Sequence, residues 1–510
     1  MEADIDRLGV ARKPYFSAKI VDHGVTTEGE VACALGRRVP GEIPECDDGV
    51  FAGWRWDGER LVASNDRYGL YPLFYSNCGG EVRVSPSIAE VLRGNVSRRL
   101  DYDALSVFFG LGMFIGDATP FAEIRLLPPG SILEWCRGRA TIREAGFRRT
   151  GPMRAGAIGR TEAMETYAHL FGKAVSKRRP DGGSFCVPLS GGRDSRHILF
   201  ELMRQGIKPD FCPTVTYRPP ATNEDARIAA LMTSEFGIPH VLIDEPPSFH
   251  RAVVKDVHLT NYCGSGHAWI LPVAAYLTGR VTTVYDGIAG DILSNGLLLS
   301  ERKLSLFEGN QLEELALLLL AEANRSSVTQ KVLSRDFLKR MDKGAAVASL
   351  VKELEKHVSA PNPVASFYFW NRTRRGIGLI PFSILSEIPV VHCPYLDHEV
   401  FDFLMSLDGA MFLGGSFHDE TIHHAYPEFA HFPYEIAGDR PGLSREGQRY
   451  YQKAILEFMR YLVRRGGRPS ALVRRGYVLP RALFGLLMKR TELPWYMTQA
   501  IYATELGDAC

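Results

Sequence analysis

Residues 187–199 read VPLSGGRDSRHIL, an apolar segment that runs into two glycines, an acid and a hydroxyl, and then into a second apolar segment. A strand followed by a glycine turn and a helix places the turn at the carboxyl end of the strand, where open parallel sheets bind ligands. The N-terminus of such a helix offers unpaired N–H groups to an anion. The stretch therefore predicts a phosphate-binding loop, with an ordinary strand-to-helix turn capped by Ser195 as the alternative.

The residue types of the stretch suit a phosphate ligand. Gly191 and Gly192 let the backbone approach phosphate oxygens closely. The hydroxyls of Ser190 and Ser195 add donors, and the Asp194 carboxylate can hold a Mg²⁺ ion that bridges phosphates. The GK[ST] ending of a Walker loop is absent, so the sequence predicts a phosphate loop of another kind.

The segments around the loop alternate between strand and helix patterns. This alternation predicts a parallel sheet with helices on both faces, and the chain beyond residue 305 is predicted to be mainly helical. The predicted order is helix 161–176, strand 185–189, helix 196–204, strand 214–217, helix 224–236 and strand 241–244.

The first 150 residues follow a different pattern. Residues 48–92 contain short apolar runs separated by Asp-Gly and Gly-Gly turns, which predicts an antiparallel meander. A helical turn at 105–109 and one further strand after residue 130 complete this part. Residues 148–160 lack apolar periodicity and are predicted to be a linker. Since single cores rarely exceed about 300 residues, we expect two domains, 1–150 and 160–510.

The composition excludes several classes of protein. The 510 residues carry a net charge of +1, which predicts no overall attraction to nucleic acid or to acidic membranes. The nine cysteines have no paired spacing and their number is odd, as expected of a reduced, cytoplasmic chain. The N-terminus has no apolar signal core, and no apolar run approaches the ~18 residues of a membrane span. We therefore expect a cytoplasmic protein without a membrane partner.

Several segments together resemble one family. The SGGRDS loop matches the SGGxDS motif of the ATP pyrophosphatase (PP-loop) enzymes. YDGIAGDILSNG at 285–296 and PYLDHEV at 394–400 resemble the second nucleotide motif and the PFLDxxLV segment of asparagine synthetases. DGVFA at 48–52 and DRYGLYPLFY at 66–75 resemble the later part of their glutaminase domain. The chain thus resembles the asparagine-synthetase-like family, which also contains β-lactam synthetases and lasso-peptide cyclases.

The resemblance implies a fold and a set of ligands. The fold is α/β: an N-terminal α+β sandwich like that of N-terminal-nucleophile hydrolases, here a degenerate glutaminase, followed by an adenine-nucleotide α-hydrolase-like parallel sheet and a helical C-terminal part. The implied cofactors are ATP and Mg²⁺. The implied pyrophosphate and metal contacts are Ser190, Gly191, Gly192, Asp194 and Ser195, with Asp291 as the second Mg²⁺ ligand, and Leu189 and Gly287 beside adenine or ribose.

The sequence departs from the family in both parts. The glutaminase of the family uses an N-terminal cysteine, whereas Met1 is followed here by Glu2. We therefore expect no glutamine hydrolysis, with Cys33 a nucleophile only if the true start of the protein differs. Ile288 replaces the Glu or Tyr of the second motif, and Ile292 replaces an acid.

The catalytic lysine expected after the PYLD segment is also missing, because residues 415–427 contain none. His418, His423 and Arg375 are the candidates for a replacement cation. For each of them, the alternative is a helix residue without a catalytic role.

The leading functional hypothesis is an AMP-forming ligase that adenylates a carboxylate and transfers it to an amine. The amine would be ammonia, a substrate amine, or an amine of the same molecule. The alternatives are asparagine synthetase itself and a non-catalytic ATP-binding scaffold. The sequence leaves a homodimer or a biosynthetic partner protein open. The basic residues 460–490 indicate either a solvated helix face or a contact for an acidic peptide, a substrate carrier or a nucleic acid.

Overall fold

The structure is a computed structural model that describes residues 4–9, 11–22, 24–40, 47–144, 158–218, 223–434, 445–465, 472–488 and 495–510. The strands are β1 (Phe16–Val21), β2 (Gly24–Gly29), β3 (Ala32–Val39), β4 (Asp48–Trp56), β5 (Arg60–Asn65), β6 (Phe74–Cys78), β7 (Glu81–Ser85), β8 (Arg125–Leu126), β9 (Ser131–Cys136), β10 (Arg139–Glu144), β11 (Phe185–Cys186), β12 (Cys212–Thr216), β13 (His240–Asp244), β14 (Thr283–Tyr285) and β15 (Val390–His392).

The helices surround and follow these strands. They are α1 (Ile88–Val91), α2 (Tyr102–Leu111), α3 (Arg160–Lys177), α4 (Arg193–Arg204), α5 (Glu224–Glu235), α6 (Phe249–Leu259), α7 (Leu271–Leu277), α8 (Gly290–Ser294), α9 (Glu301–Glu308), α10 (Leu312–Ala323), α11 (Ser326–Val332), α12 (Arg335–Arg340), α13 (Lys343–Leu354), α14 (Pro363–Tyr368), α15 (His398–Ser406), α16 (Phe417–Ala425), α17 (Arg445–Arg464), α18 (Arg475–Leu487) and α19 (Trp495–Ala509). Two π-helical turns, Phe369–Ile377 and Ile380–Ile384, follow α14. Among the described helices, none is long and apolar enough to cross a membrane.

The N-terminal part is a sandwich of two antiparallel five-stranded sheets, with strand orders β2-β1-β7-β6-β8 and β10-β9-β5-β4-β3. The sheets meet through aromatic side chains: the rings of Phe16 and Trp56 are 5.6 Å apart, and those of Trp56 and Trp135 are 6.1 Å apart. The predicted linker falls largely on residues 145–157, which lie outside the described residues. The division into domains 1–150 and 160–510 stays a prediction.

The predicted single meander over residues 48–92 is wrong. Strands β4 and β5 pair in one sheet, whereas β6 and β7 pair in the other. The chain changes sheet at Asp66, whose buried carboxylate accepts hydrogen bonds from the N–H groups of Phe51, Tyr68 and Gly69 at 2.7–3.1 Å. The alternation of apolar residues predicts strands but does not say which sheet each joins. Strands β1 to β3 were not predicted.

The C-terminal part contains a parallel sheet. Parallel pairs join β12 to β13, β11 to β14 and β14 to β15, and a parallel bridge between Cys186 and Phe211 brings β11 beside β12. The resulting order is β13-β12-β11-β14-β15, so that the direction of strand addition reverses between β11 and β14. The mixed α/β class is therefore confirmed. The ligand site of such a sheet lies at the carboxyl ends of the two strands where the order reverses.

A buried ion triad joins the two parts. The Arg178 guanidinium, at the end of α3, lies 3.0 Å from Asp48 of β4 and 2.7 Å from Asp397 at the start of α15. The three side chains are only 2%, 6% and 1% exposed. The attraction between charges is strong in such a water-poor environment, and each carboxylate depends on the same cation.

Replacing this arginine tests the triad. We expect Arg178→Met to lower the free energy of unfolding by about 3–5 kcal/mol, because two buried carboxylates lose the guanidinium between them and Lys177, 3.7 Å from Asp397, offsets that loss only in part. Equilibrium urea unfolding followed by circular dichroism measures the change. Arg143→Met, in an exposed pair with Glu134, is the control and should change stability by less than about 1 kcal/mol. Equal losses in the two variants would contradict the assignment.

His398 beside the triad makes stability depend on pH. Burial, and next the charge of Arg67, lower its pKa to about 4, against the opposing charges of Asp402 and Asp397. The unfolded state therefore binds more protons between pH 6.5 and 4. The contribution of His398 is fully present above pH 6.5 and is lost as the pH falls through about 4.

We accordingly expect His398→Gln to flatten the decline in stability between pH 6.5 and 4 by about 3 kcal/mol, at 1.36 kcal/mol per pKa unit. The measurement is urea unfolding at half-unit pH steps. His424→Gln, which changes a histidine that is 47% exposed, should follow the wild-type profile. A His398→Gln profile as steep as that of the wild type would refute this origin of the acid sensitivity.

Candidate functional site

The glycine loop lies between β11 and α4, at the carboxyl end of the central strand. Gly192 is the N-cap of α4, and no side chain caps the helix. The helix begins three residues earlier than predicted, which places Asp194 and Ser195 in its first turn rather than before it. The N–H group of Ser190 donates to Ser195 Oγ at 3.2 Å, and that of Gly192 donates to Ser190 Oγ at 3.1 Å. The loop thus leads directly into the N-terminus of α4, and the N–H and hydroxyl donors of both suit an anionic ligand.

Two charged residues that sequence reasoning missed hold this loop. The Asp225 carboxylate accepts a hydrogen bond from the Gly191 N–H at 2.6 Å. Buried Arg196 donates to the Gly191 carbonyl at 3.1 Å and to the Pro433 carbonyl at 2.6 Å. A loop N–H group thus already donates to the anionic oxygen of a side chain. The sequence alone does not single out Asp225, because acidic residues are common in the first turn of a helix.

A second loop, between β14 and α8, packs directly on Asp194. A Cβ atom on Gly287 would lie 2.7 Å from the Asp194 Cβ, and one on Gly290 would lie 2.5 Å from its Oδ1. Both distances are too short for any residue but glycine. The structure therefore brings Asp194 and Asp291 together from the two loops at the reversal of the strand order. Leu189 is buried at the end of the β11 segment, where its N–H donates to the Pro213 carbonyl at 2.9 Å.

The paired carboxylates are electrostatically strained. Burial raises the pKa of Asp194 well above its usual value, and the negative charge of Asp291 raises it further. Burial also raises the pKa of the neighbouring Asp286 to about 6. The guanidinium of Arg372 approaches Asp291, with Nη1 3.6 Å from Oδ2. Three carboxylates therefore lie at one sheet edge; among the described residues Arg372 pairs with Asp291, and the charge of Arg193 acts on Asp194.

His418 is the one predicted replacement cation that reaches the carboxylates. Its Nδ1 lies 3.5 Å from Asp194 Oδ1, and its Nε2 lies 3.1 Å from the Nδ1 of His197. Burial, and next the charge of Arg193, lower its pKa to about 3, so the ring is neutral. His418 therefore contacts the site without supplying a positive charge.

The other two predicted cations lie elsewhere. Arg375 is buried and donates to the Ala118 carbonyl, and burial lowers its pKa. His423 is exposed, with its ring 5.8 Å from that of Tyr434. The cation beside the carboxylates is Arg372, which sequence reasoning missed. It lies on the π-helical turn Phe369–Ile377. A π-helix has more residues per turn than the 3.6 of an α-helix, and the faces of a helix are predicted from the 3.6-residue period.

The carboxylate pair fits a magnesium ion. Magnesium prefers oxygen ligands and usually takes one or two carboxylates together with phosphate oxygens and water. No cluster of three or more His, Cys, Asp and Glu side chains suited to a metal occurs among the described residues. Asp194 and Asp291 would supply two oxygens. A divalent cation would relieve the repulsion between the two carboxylates, which the neutral His418 ring does not reduce. The buried Nδ1 of His418 has no hydrogen-bond partner in the described structure.

Cys33 is not a poised nucleophile. It is the second residue of strand β3 and is half-buried. Burial, and next the charge of Glu30, raise the pKa of its thiol to about 11. A reactive cysteine needs a lowered pKa because the thiolate is the attacking form.

The contact between the two loops is directly testable. We expect Gly290→Ala to lower the free energy of unfolding by about 1–3 kcal/mol, since its Cβ would overlap the Asp194 carboxylate and force one loop to move. Thermal and urea unfolding measure this change. Gly476→Ala in α18, where a Cβ meets no atom within 4 Å, should leave stability unchanged or slightly raised. Equal stability of the two variants would show that the loops are not in close contact.

Comparison with known proteins gives two kinds of similarity. A family model described as a glutamine amidotransferase domain matches residues 21–145. "Asparagine synthetase [glutamine-hydrolyzing] 3" of Bacillus subtilis (strain 168) is 26% identical over 238 residues, which cover 42% of this chain and 36% of that protein. The match thus spans about a third of the length of the curated relative.

Two solved structures show weak similarity. One is titled as the allosteric regulatory enzyme of purine biosynthesis; it is 12% identical, with coverage of 39% of this chain and 48% of that chain and a TM-score of 0.14. The other is glutamine phosphoribosylpyrophosphate amidotransferase from B. subtilis complexed with ADP and GMP. It is 11% identical, with coverage of 54% and 46% and a TM-score of 0.14.

Proposed function

We propose that this chain, which belongs to the asparagine-synthetase-like family, is an ATP- and Mg²⁺-dependent ligase that joins a carboxylate to an amine and forms AMP. The observation that carries the proposal is the contact of two glycine loops around Asp194 at the reversal of the strand order. One loop presents an uncapped helix N-terminus, and the other presents a second carboxylate. Together they provide an anion site beside a divalent-cation site.

The proposed reaction has two steps. A substrate carboxylate oxygen attacks the α-phosphorus of ATP; its O–P bond forms while the bond to pyrophosphate breaks, which gives an acyl-adenylate. The amine nitrogen then attacks the acyl carbon, the bond to AMP breaks, and the nitrogen releases a proton to solvent or to a basic group. Adenylation supplies the leaving group, so the second step needs mainly removal of a proton.

The residues of the site have separate roles in this scheme. Ser190, Gly191, Gly192 and Ser195, with the start of α4, hold the pyrophosphate oxygens. Asp194 and Asp291 would hold Mg²⁺, which would neutralise charge on the departing pyrophosphate. Leu189 and Gly287 lie where adenine or ribose would pack.

Arg372 takes the place of the missing lysine in the proposal. Its guanidinium lies beside Asp291, with Nη1 3.6 Å from Oδ2, and guanidinium groups bind carboxylates and phosphates. His418 packs beside Asp194, with Nδ1 3.5 Å from Oδ1 and no hydrogen bond between them. The Cys33 thiol is protonated and half-buried, which supports an amine that comes from ammonia or from a substrate rather than from a Cys33 glutaminase.

ATP–pyrophosphate exchange across a panel of amino acids and peptide acids tests the proposal. We expect Mg²⁺-dependent exchange with at least one acid, and a loss of about 100-fold or more in Asp194→Asn and in Asp291→Asn, since charge stabilisation of this kind contributes several kcal/mol. Arg372→Lys should retain more exchange than Arg372→Gln. Asp336→Asn, whose side chain is 92% exposed, is the control.

The outcomes separate the candidate functions. Exchange with aspartate followed by release of asparagine would identify an asparagine synthetase, whereas exchange with another acid supports a different ligase of the same kind. Undiminished exchange in Asp194→Asn would refute the assignment of the loop. Exchange with no acid, together with protection of the protein by ATP against thermal unfolding, would favour a non-catalytic ATP-binding scaffold.

A further inference from the structure

Helices α17 and α18 expose the most prominent apolar side chains of the described structure. Five large side chains, hereafter the apolar patch, lie on their solvent faces. They are Leu456 (39% exposed), Leu483 (45%), Phe484 (51%), Leu487 (70%) and Met488 (61%). Four of the five occupy the last two turns of α18 and the residue after it, where the exposed face is apolar apart from Arg481. Apolar groups so clustered mark a surface that contacts something else.

The two helices run antiparallel, which brings the apolar residues together. At one end the Arg475 guanidinium donates to the Arg465 carbonyl at 2.7 Å. At the other end Gly485 packs near Ile455, with its Cβ position 3.7 Å from the Ile455 Cδ1. Leu456 is therefore adjacent to the α18 turn that carries Phe484. The opposite side of α18, at Val478, Ala482 and Gly485, is buried against the protein.

The patch is surrounded by basic residues. The two helices contain seven basic residues and two acidic ones. Both acids are engaged: Glu446 lies 3.7 Å from Arg218, and Glu457 accepts from Ser248 Oγ at 2.5 Å. No ion pair joins Arg460 or Arg464 to an acidic residue in the described parts of the chain. Lys453 and Arg460 lie one turn to either side of Leu456, on the same exposed face. Lys453 also lies 3.9 Å from Glu457 and donates to the Pro247 carbonyl, so Arg460 is the cation beside Leu456 that the proposal relies on.

We propose that this face docks on an anionic lipid surface, with the apolar patch inserted at the boundary of headgroups and acyl chains. Apolar side chains that are 39–70% exposed can enter a lipid layer, and arginines and lysines around them pair with anionic headgroups. The whole chain has a net charge of +1, but the surface formed by α17 and α18 is locally basic. A second copy of the same face does not suit it, because two strongly basic faces repel each other.

Co-sedimentation of the full chain with vesicles tests the proposal. One set of vesicles is phosphatidylcholine alone, and the other is phosphatidylcholine mixed with phosphatidylglycerol. We expect binding to the anionic vesicles, at least tenfold weaker binding to the neutral ones, and a decrease as salt is raised. The variant Phe484→Asp/Leu487→Asp should bind at least tenfold more weakly than the wild type.

The controls separate insertion from other causes. Leu317→Asp/Val358→Asp adds the same charge at positions 45% and 39% exposed elsewhere and should bind like the wild type. Circular dichroism melting shows whether each variant is folded, as exposed positions predict. Absence of wild-type binding to anionic vesicles would overturn the proposal and leave an acidic protein segment as the occupant. Wild-type-like binding by Phe484→Asp/Leu487→Asp would overturn insertion of the patch.

Discussion

The architecture depends on one buried cation. Arg178 stands between Asp48 of the sandwich and Asp397 of the C-terminal part, and all three side chains are almost completely excluded from water. Since the guanidinium offsets the buried charge of both carboxylates, it favours the contact between the two parts of the chain. The main chain of the same residue extends this constraint, because its carbonyl accepts a hydrogen bond from the Tyr285 hydroxyl. Tyr285 ends β14, two residues before the glycine that packs on Asp194. Docking of the sandwich and placement of the second loop are therefore linked.

The π-helical segment provides a second link between the sandwich and the site. Arg374 donates to the carbonyls of Gly116 and Leu127 at 3.2 and 3.0 Å, deep in the N-terminal part. Two residues earlier, Arg372 faces Asp291. The sandwich thus fixes a helix that carries a cation to the carboxylates. The sandwich therefore contributes to the site by holding Arg372 in position, and this does not require a glutaminase nucleophile.

The sequence predicts some features of the site because glycine and aspartate carry strong local signals. The loop Ser190 to Ser195 is predicted from a glycine turn between a strand and a helix, whereas Gly287 and Asp291 are predicted from the resemblance of residues 285–296 to a known motif. The structure packs Gly287 and Gly290 on Asp194, and the ligands of these residues stay a prediction. The position of Arg372 could not be predicted, since three arginines occur within four residues and the π-helical winding changes which of them faces the sheet. The assignment of β4 to β7 to two sheets also escaped prediction, because it depends on the buried Asp66 turn rather than on the strand pattern.

The protonation state of His418 is a further property that the sequence does not predict. Its sequence context, in a segment with three histidines and two acids, favours a charged imidazole. Its surroundings reverse this, because the ring is enclosed by Tyr167, Tyr395 and His197 and lies near the positive charge of Arg193. Arg193 forms two bonds to Asp419, and its charge also acts on Asp194. Burial and the charge of Asp291 nevertheless raise the pKa of Asp194, so that full ionisation of the carboxylates at this sheet edge is unfavourable without a further cation. In the function that we propose, a divalent cation and the phosphates that accompany it would supply that charge between the two loops.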